Sequence, residues 1–357
     1  MITISLCMIV KNESQVICRC LDSAKDIVDE IILVDTGSTD HTKTILMRYT
    51  PNVFDFEWIN NFASARNFAF SHATMNYILW IDADDVLLEP DRQKFLQLKH
   101  TLDPSVDAVS MHYHLAFDAD GDVTSSLRRN RLVKRLKEFQ WHGAVHEYLA
   151  VDGHILNSDI AITHQPIKHD SERNLRIYEQ RLAAGETFTP RDLFYYANEC
   201  LDHQNYVQAI KYYLIFLDSK QGWIEDCISA CAKLADCYTH LGDYELAQNY
   251  TLKSFEYDLP RAEFCCRLGY RFMQKSEWQK AIFWYKLATQ LKKPKDSWGF
   301  FIECCWTWLP HLQLCVCYDQ LGEYKLAYEH NEIAHNYRPM DEKMLYNKTY
   351  LESVINQ

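Results

Sequence analysis

The chain lacks both an excess of basic residues and any long hydrophobic run. Of its 357 residues, 37 are Lys or Arg and 49 are Asp or Glu, which gives a formal net charge of −12. Because nucleic-acid binding usually needs a basic face, this balance argues against that class of protein. No apolar stretch approaches the ~20 residues that span a bilayer, and no cleavable leader precedes the first apolar run. The sequence therefore predicts a cytoplasmic protein without a membrane span.

The chain also lacks a Cys-x-x-Cys pair, although it contains thirteen cysteines. Several of them, such as Cys231, Cys265 and Cys315, stand within apolar helical patterns, where a thiol packs as a small hydrophobic group. The odd number and the absence of zinc-ligand spacing argue against a disulfide framework and against a structural zinc site. Reduced thiols are typical of a cytosolic protein.

The first region of the chain alternates apolar runs of strand length with helical or loop segments. This alternation predicts an α/β sheet with crossover connections, in which ligands bind beyond the carboxyl ends of the strands. From about residue 190 the pattern is helical only. We therefore expect an α/β domain over 1–165, a connecting helix over 166–190 and an all-α domain over 191–357. The predicted strands are ISLCMIV (4–10), EIILVD (30–35), YILWID (77–82), AVSMHYHLAF (108–117) and IAITHQP (160–166).

Four segments of the second region share one pattern, in which an aromatic residue stands three positions before an alanine. These alanines lie 38, 34 and 46 residues apart. A period near 34 with small residues at such positions is typical of tetratricopeptide repeats, whose paired helices approach closely. An unrelated helical bundle is the alternative. The segments are Tyr206–Ala209, Tyr244–Ala247, Trp278–Ala281 and Tyr324–Ala327.

The segment YILWIDADD gives the clearest indication of chemistry, because a strand delivers Asp82, Asp84 and Asp85 at its carboxyl end. Two carboxylates two residues apart can address one hard divalent cation, which prefers oxygen ligands, or its diphosphate partner. Such a cation acts as a Lewis acid on a diphosphate leaving group. Taken alone, the same residues are also consistent with an acidic turn that caps a helix.

Three more motifs accompany this segment, namely CMIVKNE, LVDTGSTDHT and FASARNFAF. In their order and spacing, the four motifs resemble those of family 2 glycosyltransferases with a GT-A fold, over essentially the first 165 residues. The resemblance implies a Rossmann-like mixed sheet, a UDP-sugar donor and a Mn²⁺ or Mg²⁺ cofactor.

The resemblance implies a role for each matching position. Asp35 would accept a hydrogen bond from the nucleotide base, Asp82 would touch ribose or metal-bound phosphate, and Asp84 would be the direct metal ligand. Arg66 would face the donor, or would serve as a structural ion-pair partner. The implied donor site consists of Val10, Asn12, Glu13, Asp35, Arg66, Asn67, Asp82 and Asp84.

The segment FQWHGAVHEYL (139–149) is rich in titratable groups for so short a loop. An inverting transfer needs a base near the acceptor nucleophile, and the resemblance implies a carboxylate at about this point. The matching pair is His146 and Glu147, so either residue is a candidate base and the other would orient it. A histidine suits a thiol or hydroxyl acceptor near neutral pH. We expect His142 to be structural.

The final predicted strand ends on His164. The resemblance implies that a histidine just after the sheet completes the metal site, so we expect His164 to join Asp84 and Asp82 as a ligand, with His169 as a weaker substitute. A buried core histidine is the alternative reading of His164. The basic residues between Arg128 and Lys137 either bind diphosphate or form a solvated strand edge, and the solvated edge is favoured.

A GT-A domain followed by tetratricopeptide-like helices resembles the sublancin-type peptide S-glycosyltransferases and their relatives. We therefore expect an inverting, metal-dependent hexosyltransferase that uses UDP-glucose or UDP-N-acetylglucosamine. Its acceptor would be a Cys or Ser/Thr side chain of a peptide such as a bacteriocin, or of a protein. The alternatives are transfer to a cell-envelope glycan and a non-catalytic repeat scaffold. A homodimer through the repeat domain is a further expectation.

Overall fold

The computed structural model of the protein describes residues 1–118, 121, 123–166, 172–294, 299 and 301–356. The chain divides into two compact units, Met1–Phe188 and Thr189–Gln357. Within the described residues, no helix is both long enough and apolar enough to cross a membrane.

The described part of the first unit contains ten strands and five helices. The strands are β1 Ile4–Val10, β2 Glu30–Asp35, β3 Val53–Asp55, β4 Tyr77–Trp80, β5 Asp85–Val86, β6 Ala108–Phe117, β7 Val123–Lys134, β8 Trp141–His142, β9 Tyr148–Leu149 and β10 Ile155–His164. The helices are α1 Ile17–Ala24, α2 Thr42–Leu46, α3 Phe62–Ser71, α4 Glu89–Thr101 and α5 Arg173–Ala183. Helix α5 falls within the predicted connecting segment 166–190, of which residues 167–171 lie outside the described part of the chain.

Eight of these strands form one mixed sheet with the order β3-β2-β1-β4-β7-β6-β10-β5. Strand β1 pairs in parallel with both β2 and β4, and β10 pairs in parallel with β6. Strand β7 runs antiparallel to its two neighbours, so β4, β6 and β10 point the same way. The carboxyl ends of β1, β2, β4 and β10 therefore meet at one edge of the sheet.

Apolar side chains cover both faces of this sheet, as expected for strands that read as continuous hydrophobic runs. On one face, Leu6 and Met8 of β1 pack in a cluster with Ile17 of α1 and Phe95 of α4. On the other face, Cys7 packs with Ala69 of α3 and with its neighbours. The predicted α/β class is confirmed for this unit.

The described part of the second unit consists of helices, which pack as consecutive antiparallel pairs. Each of the four aromatic–alanine segments begins the second helix of a pair, at Tyr206, Tyr244, Trp278 and Tyr324. Their alanines are buried, which allows the close helix approach that the repeat pattern predicts. The helices are α6 Pro190–Asp202, α7 Tyr206–Ser219, α8 Ile224–His240, α9 Tyr244–Lys253, α10 Ala262–Gln274, α11 Trp278–Gln290, α12 Trp308–Gln320, α13 Tyr324–Tyr337 and α14 Glu342–Ile355.

Glycines make the turns inside two of these helix pairs. Gly242 and Gly322 have φ angles of +80° and +75°, in the left-handed region that glycine adopts without a steric penalty. After each glycine, the next amide (of Asp243 or Glu323) returns to a carbonyl in the last turn of the preceding helix. The predicted class, an α/β domain followed by tetratricopeptide-like helices, is confirmed.

Strand β7 overturns one expectation. The basic segment that begins at Arg128 was expected to be a solvated edge, but β7 lies between β4 and β6 in the interior of the sheet. Arg131 is fully buried, at 0% exposure. The solvated-edge interpretation is therefore wrong for this residue, because its strand is paired on both sides.

Candidate functional site

Three neighbouring parallel strands bring the predicted donor residues to one edge of the sheet. Val10 is the last residue of β1 and lies opposite Asp35, the last residue of β2. On the other side of β1, Cys7 lies opposite Trp80, so β4 delivers Asp82 to the same edge. Ligands of open α/β sheets bind at such an edge.

Asp35 is buried, and its two carboxylate oxygens differ. Oδ1 accepts hydrogen bonds from the amides of Gly37 at 2.9 Å and Ser38 at 2.8 Å, which fixes the turn after β2. Oδ2 is buried and has no hydrogen-bond partner among the described residues. A buried acceptor without a partner is costly, so this oxygen is suited to a donor group of a ligand.

Asn12 and Glu13 connect the loop after β1 to the loop after β2. Oδ1 of Asn12 accepts from the amide of Thr39 at 2.7 Å, and the amide of Glu13 donates to Oγ1 of Thr42 at 2.8 Å. The carbonyl of Val10 accepts from the amide of Thr36 at 2.9 Å. Through these contacts, the three predicted residues shape the rim beside Asp35.

The acidic segment after β4 folds into a closed turn. The amide of Asp82 donates to Oδ2 of Asp85 at 3.0 Å, and the amide of Asp85 donates to the carbonyl of Asp82 at 3.0 Å. Asp85 then begins β5, which pairs antiparallel with β10 so that Asp85 lies opposite His164. The amide of Gln165 donates to the carbonyl of Asp84 at 2.9 Å, which ties the end of β10 to the same turn.

This pairing gathers Asp84, Asp85 and His164 into one group of candidate metal ligands. One ligand atom from each residue lies within 4.8 Å of those of the other two. Nδ1 of His164 is 3.6 Å from Oδ1 of Asp84 and 3.4 Å from Oδ1 of Asp85. Burial opposes protonation of His164, but the neighbouring carboxylates outweigh it and raise the pKa of its imidazole. Asp85, to which the sequence assigned no ligand role, thus lies with Asp84 and His164, two of the three predicted ligands.

Two carboxylates and one imidazole are a suitable donor set for Mn²⁺ or Mg²⁺, which accept oxygen ligands and keep positions open for water and phosphate. Residues around a metal site commonly orient its ligands through hydrogen bonds, and Tyr113 does so here. The hydroxyl of Tyr113 donates to Oδ1 of Asp85 at 2.9 Å, and it lies 2.9 Å from Nδ1 of His164. The residues present therefore fit a divalent ion. His169, the weaker substitute, lies outside the described residues.

Asp82 is held differently, by arginine side chains. Its Oδ1 accepts from Nη2 of Arg66 at 2.7 Å, and its Oδ2 lies 3.9 Å from Nη1 of Arg131. Burial opposes ionisation of Asp82, but these guanidinium groups outweigh it, and the pKa of the carboxyl falls well below its usual range. Among the described residues, Asp82 is not part of the three-residue ligand group.

Arg66 links Asp82 to the candidate base Glu147. Its Nε donates to Oε1 of Glu147 at 2.6 Å, and its guanidinium lies over the rings of Trp80 and Trp141, at 5.0 and 4.8 Å from their centroids. The structure thus places Arg66 in the ion-pair role that the sequence left open. Glu147 is brought next to the acidic turn through this shared partner.

Asn67 anchors the loop that carries the candidate bases. Its Nδ2 donates to the carbonyl of Trp141 at 3.0 Å, and its Oδ1 accepts from the amide of Trp141 at 2.8 Å. Trp141 is buried against Trp80, with the ring centroids 4.6 Å apart. Gly143 has a φ of +98° that starts the turn toward Glu147. Asn67 therefore acts on β8 rather than reaching out as a donor contact.

His146 precedes Glu147 in a strained backbone conformation, with a φ of +49°. A histidine in the left-handed region is uncommon, and such strain concentrates at functional sites. Its ring is stacked on that of Tyr178 of α5, with centroids 6.4 Å apart. His142 is exposed and lies beside Tyr148, at a ring distance of 5.6 Å.

Sequence reasoning missed the importance of Tyr113. It named the basic segment that contains Arg131 as a possible diphosphate binder but favoured a solvated edge. Arg131 lies 3.1 Å from Asp85, in an ion pair that lacks hydrogen-bond alignment. Nothing in the local sequence indicates that a basic strand is inserted between two apolar ones.

Comparison with known proteins agrees with this geometry. Residues 5–158 match the model of glycosyl transferase family 2. A TPR repeat-containing protein of Synechococcus elongatus is 28% identical over 336 residues, which cover 92% of this chain and 74% of that protein. The SPbeta prophage-derived glycosyltransferase SunS of Bacillus subtilis is 32% identical over 212 residues, which cover 55% of this chain and 49% of SunS.

These matches confirm the predicted resemblance, which joins a family 2 glycosyltransferase region to tetratricopeptide-like helices. The alignment spans about half the length of SunS and about three quarters of the Synechococcus protein. Among solved structures, the C-terminal part of a TPR repeat-containing protein from Cytophaga hutchinsonii is similar with a TM-score of 0.43 and 13% identity, over 52% of this chain and 67% of that one.

Proposed function

We propose that this chain, whose residues 5–158 match glycosyl transferase family 2, is an inverting, metal-dependent glycosyltransferase. It transfers a hexose from UDP-glucose or UDP-N-acetylglucosamine to a Cys or Ser/Thr side chain of a peptide or protein. The observation that carries this proposal is the grouping of Asp84, Asp85 and His164 at the sheet edge that also holds Asp35.

The donor nucleotide binds at the ends of β1 and β2. The buried, unpartnered Oδ2 of Asp35 is suited to accept a hydrogen bond from an N–H of the base. The loop contacts of Asn12 and Glu13 fix the wall beside it, and the backbone of Val10 completes that wall. Arg66 and Asn67 support the site from α3.

Asp84, Asp85 and His164 hold the divalent ion. When bound, Mn²⁺ or Mg²⁺ supplies Lewis-acid neutralisation of the charge on the diphosphate. Tyr113 orients Asp85 and His164 through its hydroxyl. Asp82, fixed by Arg66, faces the ribose or phosphate side of the donor.

Glu147 is the better placed of the two candidate bases. Its side chain is 12% exposed, and Arg66 joins it to Asp82. In the transfer, the acceptor S–H or O–H gives its proton to the base, and the sulfur or oxygen bonds to the anomeric carbon. The bond from that carbon to the diphosphate oxygen breaks, and UDP leaves. His146 orients the acceptor or assists, and a thiol pKa near 8.5 lets a weak base suffice.

The peptide acceptor is supported by the second unit. Repeat arrays present extended surfaces that bind polypeptides, and this unit exposes large aromatic side chains such as Tyr270, Phe283 and Tyr346. The resemblance to peptide S-glycosyltransferases also supports a peptide acceptor.

The test is incubation of the full chain with Mn²⁺ and each UDP-sugar, followed by measurement of released UDP and by intact-mass analysis of added cysteine-containing and serine-containing peptides. A mass gain of one hexose or N-acetylhexosamine on a peptide supports the proposal. UDP release with transfer only to an envelope glycan would replace the peptide acceptor. A chain that neither binds nor turns over any nucleotide sugar would be a scaffold.

A further inference from the structure

Two arginines of β7 point into the acidic centre from the same side. The guanidinium of Arg131 lies 4.0 Å from the ring centroid of Trp80 and 4.4 Å from that of Tyr113. That of Arg129 lies over the same two rings, at 5.9 and 5.3 Å. The hydroxyl of Tyr113 contacts both Asp85 and His164, so both guanidinium groups lie next to a ring that contacts the candidate metal ligands.

These arginines differ in their partners. Arg131 lies 3.1 Å from Asp85, and Arg66 is hydrogen-bonded to two carboxylates. For Arg129, no carboxylate of the described residues lies within 4.0 Å, and its Nε is buried without a hydrogen-bond partner. Arg129 is half-buried, so its charge is partly removed from water without a close counter-charge, which is costly.

The balance of charge around Arg129 calls for an anion. Among the described residues, three guanidinium groups (Arg66, Arg129 and Arg131) lie near four carboxylates (Asp82, Asp84, Asp85 and Glu147). A divalent ion on the ligand group would leave one positive charge in excess. Burial and the neighbouring Arg131 already lower the pKa of Arg129, which shows how poorly its charge is compensated.

We infer that Arg129 is a binding residue for the diphosphate of the sugar nucleotide. This inference rests on the proposed function and adds a specific contact to it. A guanidinium presents several N–H donors in a fixed plane, a geometry that matches phosphate oxygens. The guanidinium of Arg129 also lies next to the Trp80 and Tyr113 rings, which restrict the space in which its side chain moves. Arg131 already forms an ion pair with Asp85, whereas Arg129 can direct its donors to the phosphate oxygens of the ligand.

The neighbouring Arg128 provides a matched control. Successive residues of a strand face opposite sides, and Arg128 uses its guanidinium elsewhere. Its Nη1 donates to the carbonyl of Ser158 at 2.8 Å and to Oγ of Ser110 at 3.2 Å, and its Nη2 lies 2.9 Å from Nε2 of His112. Loss of Arg128 removes the same charge from the same strand without removing a donor from the acidic centre.

The experiment measures the affinity of the full chain for UDP and for uridine by calorimetry, in the presence of saturating Mn²⁺. We expect Arg129→Met to weaken UDP binding by about ten- to a hundredfold, the effect of one charge-assisted contact, and to leave uridine binding unchanged. Arg129→Lys should lose less UDP affinity, because lysine keeps the positive charge but lacks the planar guanidinium group. Arg128→Met should bind UDP as the wild type does. Circular dichroism melting checks that each variant is folded, and Arg129→Lys replaces Arg129→Met if the latter is not.

The outcomes separate the two proposals. If the wild type binds UDP and both Arg129 variants bind it equally well, the assignment of Arg129 is overturned while the proposed function stands. If Arg129→Met weakens uridine as much as UDP, the residue supports the site as a whole and does not bind diphosphate. If the wild type binds no UDP with Mn²⁺ present, the proposed function fails, and the role of Arg129 fails with it.

Discussion

Nε of Arg66 donates a hydrogen bond to Oε1 of Glu147 at 2.6 Å, so helix α3 is joined directly to the loop that carries the candidate base. Nη2 of the same guanidinium bonds Asp82 at 2.7 Å. The side chains of Arg66 and Glu147 are only 9% and 12% exposed, which shields this contact from solvent. A single buried cation therefore holds together three segments of the site.

Arg66→Met should destabilise the first unit by about 3 kcal/mol, because Glu147 and Asp82, whose side chains are 12% and 31% exposed, lose this partner. Urea unfolding followed by tryptophan fluorescence measures the change. The double variant Arg66→Met with Glu147→Gln should lose less stability than Arg66→Met alone, since one of the two unpaired charges is removed. Arg92→Met, which breaks a pair with the exposed Asp26, should cost under about 1 kcal/mol. A single Arg66 variant as stable as this control would contradict the picture of a buried charge network.

Glu147→Gln should lower kcat by about a hundredfold or more and leave the KM for the donor little changed. Glutamine keeps an oxygen that accepts from Arg66 but cannot take the acceptor's proton. His146→Ala should lower kcat by less than about tenfold. Steady-state kinetics at several pH values compares kcat of the two variants. Their unfolding curves show whether each variant keeps the wild-type structure. Equal and mild losses in both variants would argue against either residue as the base.

Asp84→Asn should abolish turnover and weaken Mn²⁺ binding by at least about tenfold, because it removes one anionic ligand from the group of three. Electron paramagnetic resonance of free Mn²⁺ reports the affinity without any need for activity. Asp22→Asn, at an exposed pair with Lys25, is the matched control and should behave as the wild type. Chelation with EDTA should likewise stop turnover. Turnover that still needs metal in the Asp84 variant would show that the ligand lies elsewhere.

Tyr113→Phe should weaken Mn²⁺ binding by about three- to tenfold while added metal restores the rate. The hydroxyl contacts Asp85 and His164, and its loss removes one orienting contact from each side chain without removing a ligand. The control is Tyr77→Phe on β4 of the same sheet, which deletes another buried hydroxyl, one that bonds the carbonyl of Val106 at 2.7 Å. If both variants reduce metal affinity equally, the effect is one of general stability.

Local patterns predicted most of the fold. The runs 4–10, 30–35 and 108–117 match β1, β2 and β6 residue for residue. The four aromatic–alanine segments predicted the repeat, and each coincides with the start of a helix, because the buried alanine and the helix start recur once per repeat. These features depend on residues close together in sequence, so a single chain reveals them.

The details of the site depend on long-range pairing and could not be predicted in the same way. Which acid joins His164 follows from the register of β5 on β10, in which Asp85 lies opposite His164. That register joins residues 79 positions apart, and the resemblance pointed to Asp82 and Asp84 as ligands rather than to Asp85. The burial of Arg131 likewise follows from the insertion of β7 between β4 and β6. Arg66 was left with two roles because its partner Glu147 is equally remote.

The second unit should lose stability in mild acid because of a partly buried histidine pair, His311 and His330. Nδ1 of His311 lies 3.0 Å from Nδ1 of His330, whose ring is stacked on Tyr318 with centroids 5.6 Å apart. Burial, followed by His311 and Lys286, lowers the pKa of His330 to about 4. The unfolded chain takes up this proton near pH 6.5, whereas the folded chain does so only near pH 4. Stability from this group is therefore complete above pH 6.5 and falls as the pH drops toward 4.

His330→Asn should remove part of that dependence, since asparagine can occupy the Nδ1 position without titrating. Between pH 7 and pH 5, we expect the wild type to lose about 1 kcal/mol more than the variant, a value reduced from the full shift because the ring is partly solvated. Calorimetric unfolding of the full chain at both pH values measures this difference. His335→Asn, which alters an exposed histidine bonded to the carbonyl of Pro339, provides the control and should follow the wild type. A variant at His330 that loses as much stability in acid as the wild type would show that this imidazole is already protonated, or equally protonated, in both states.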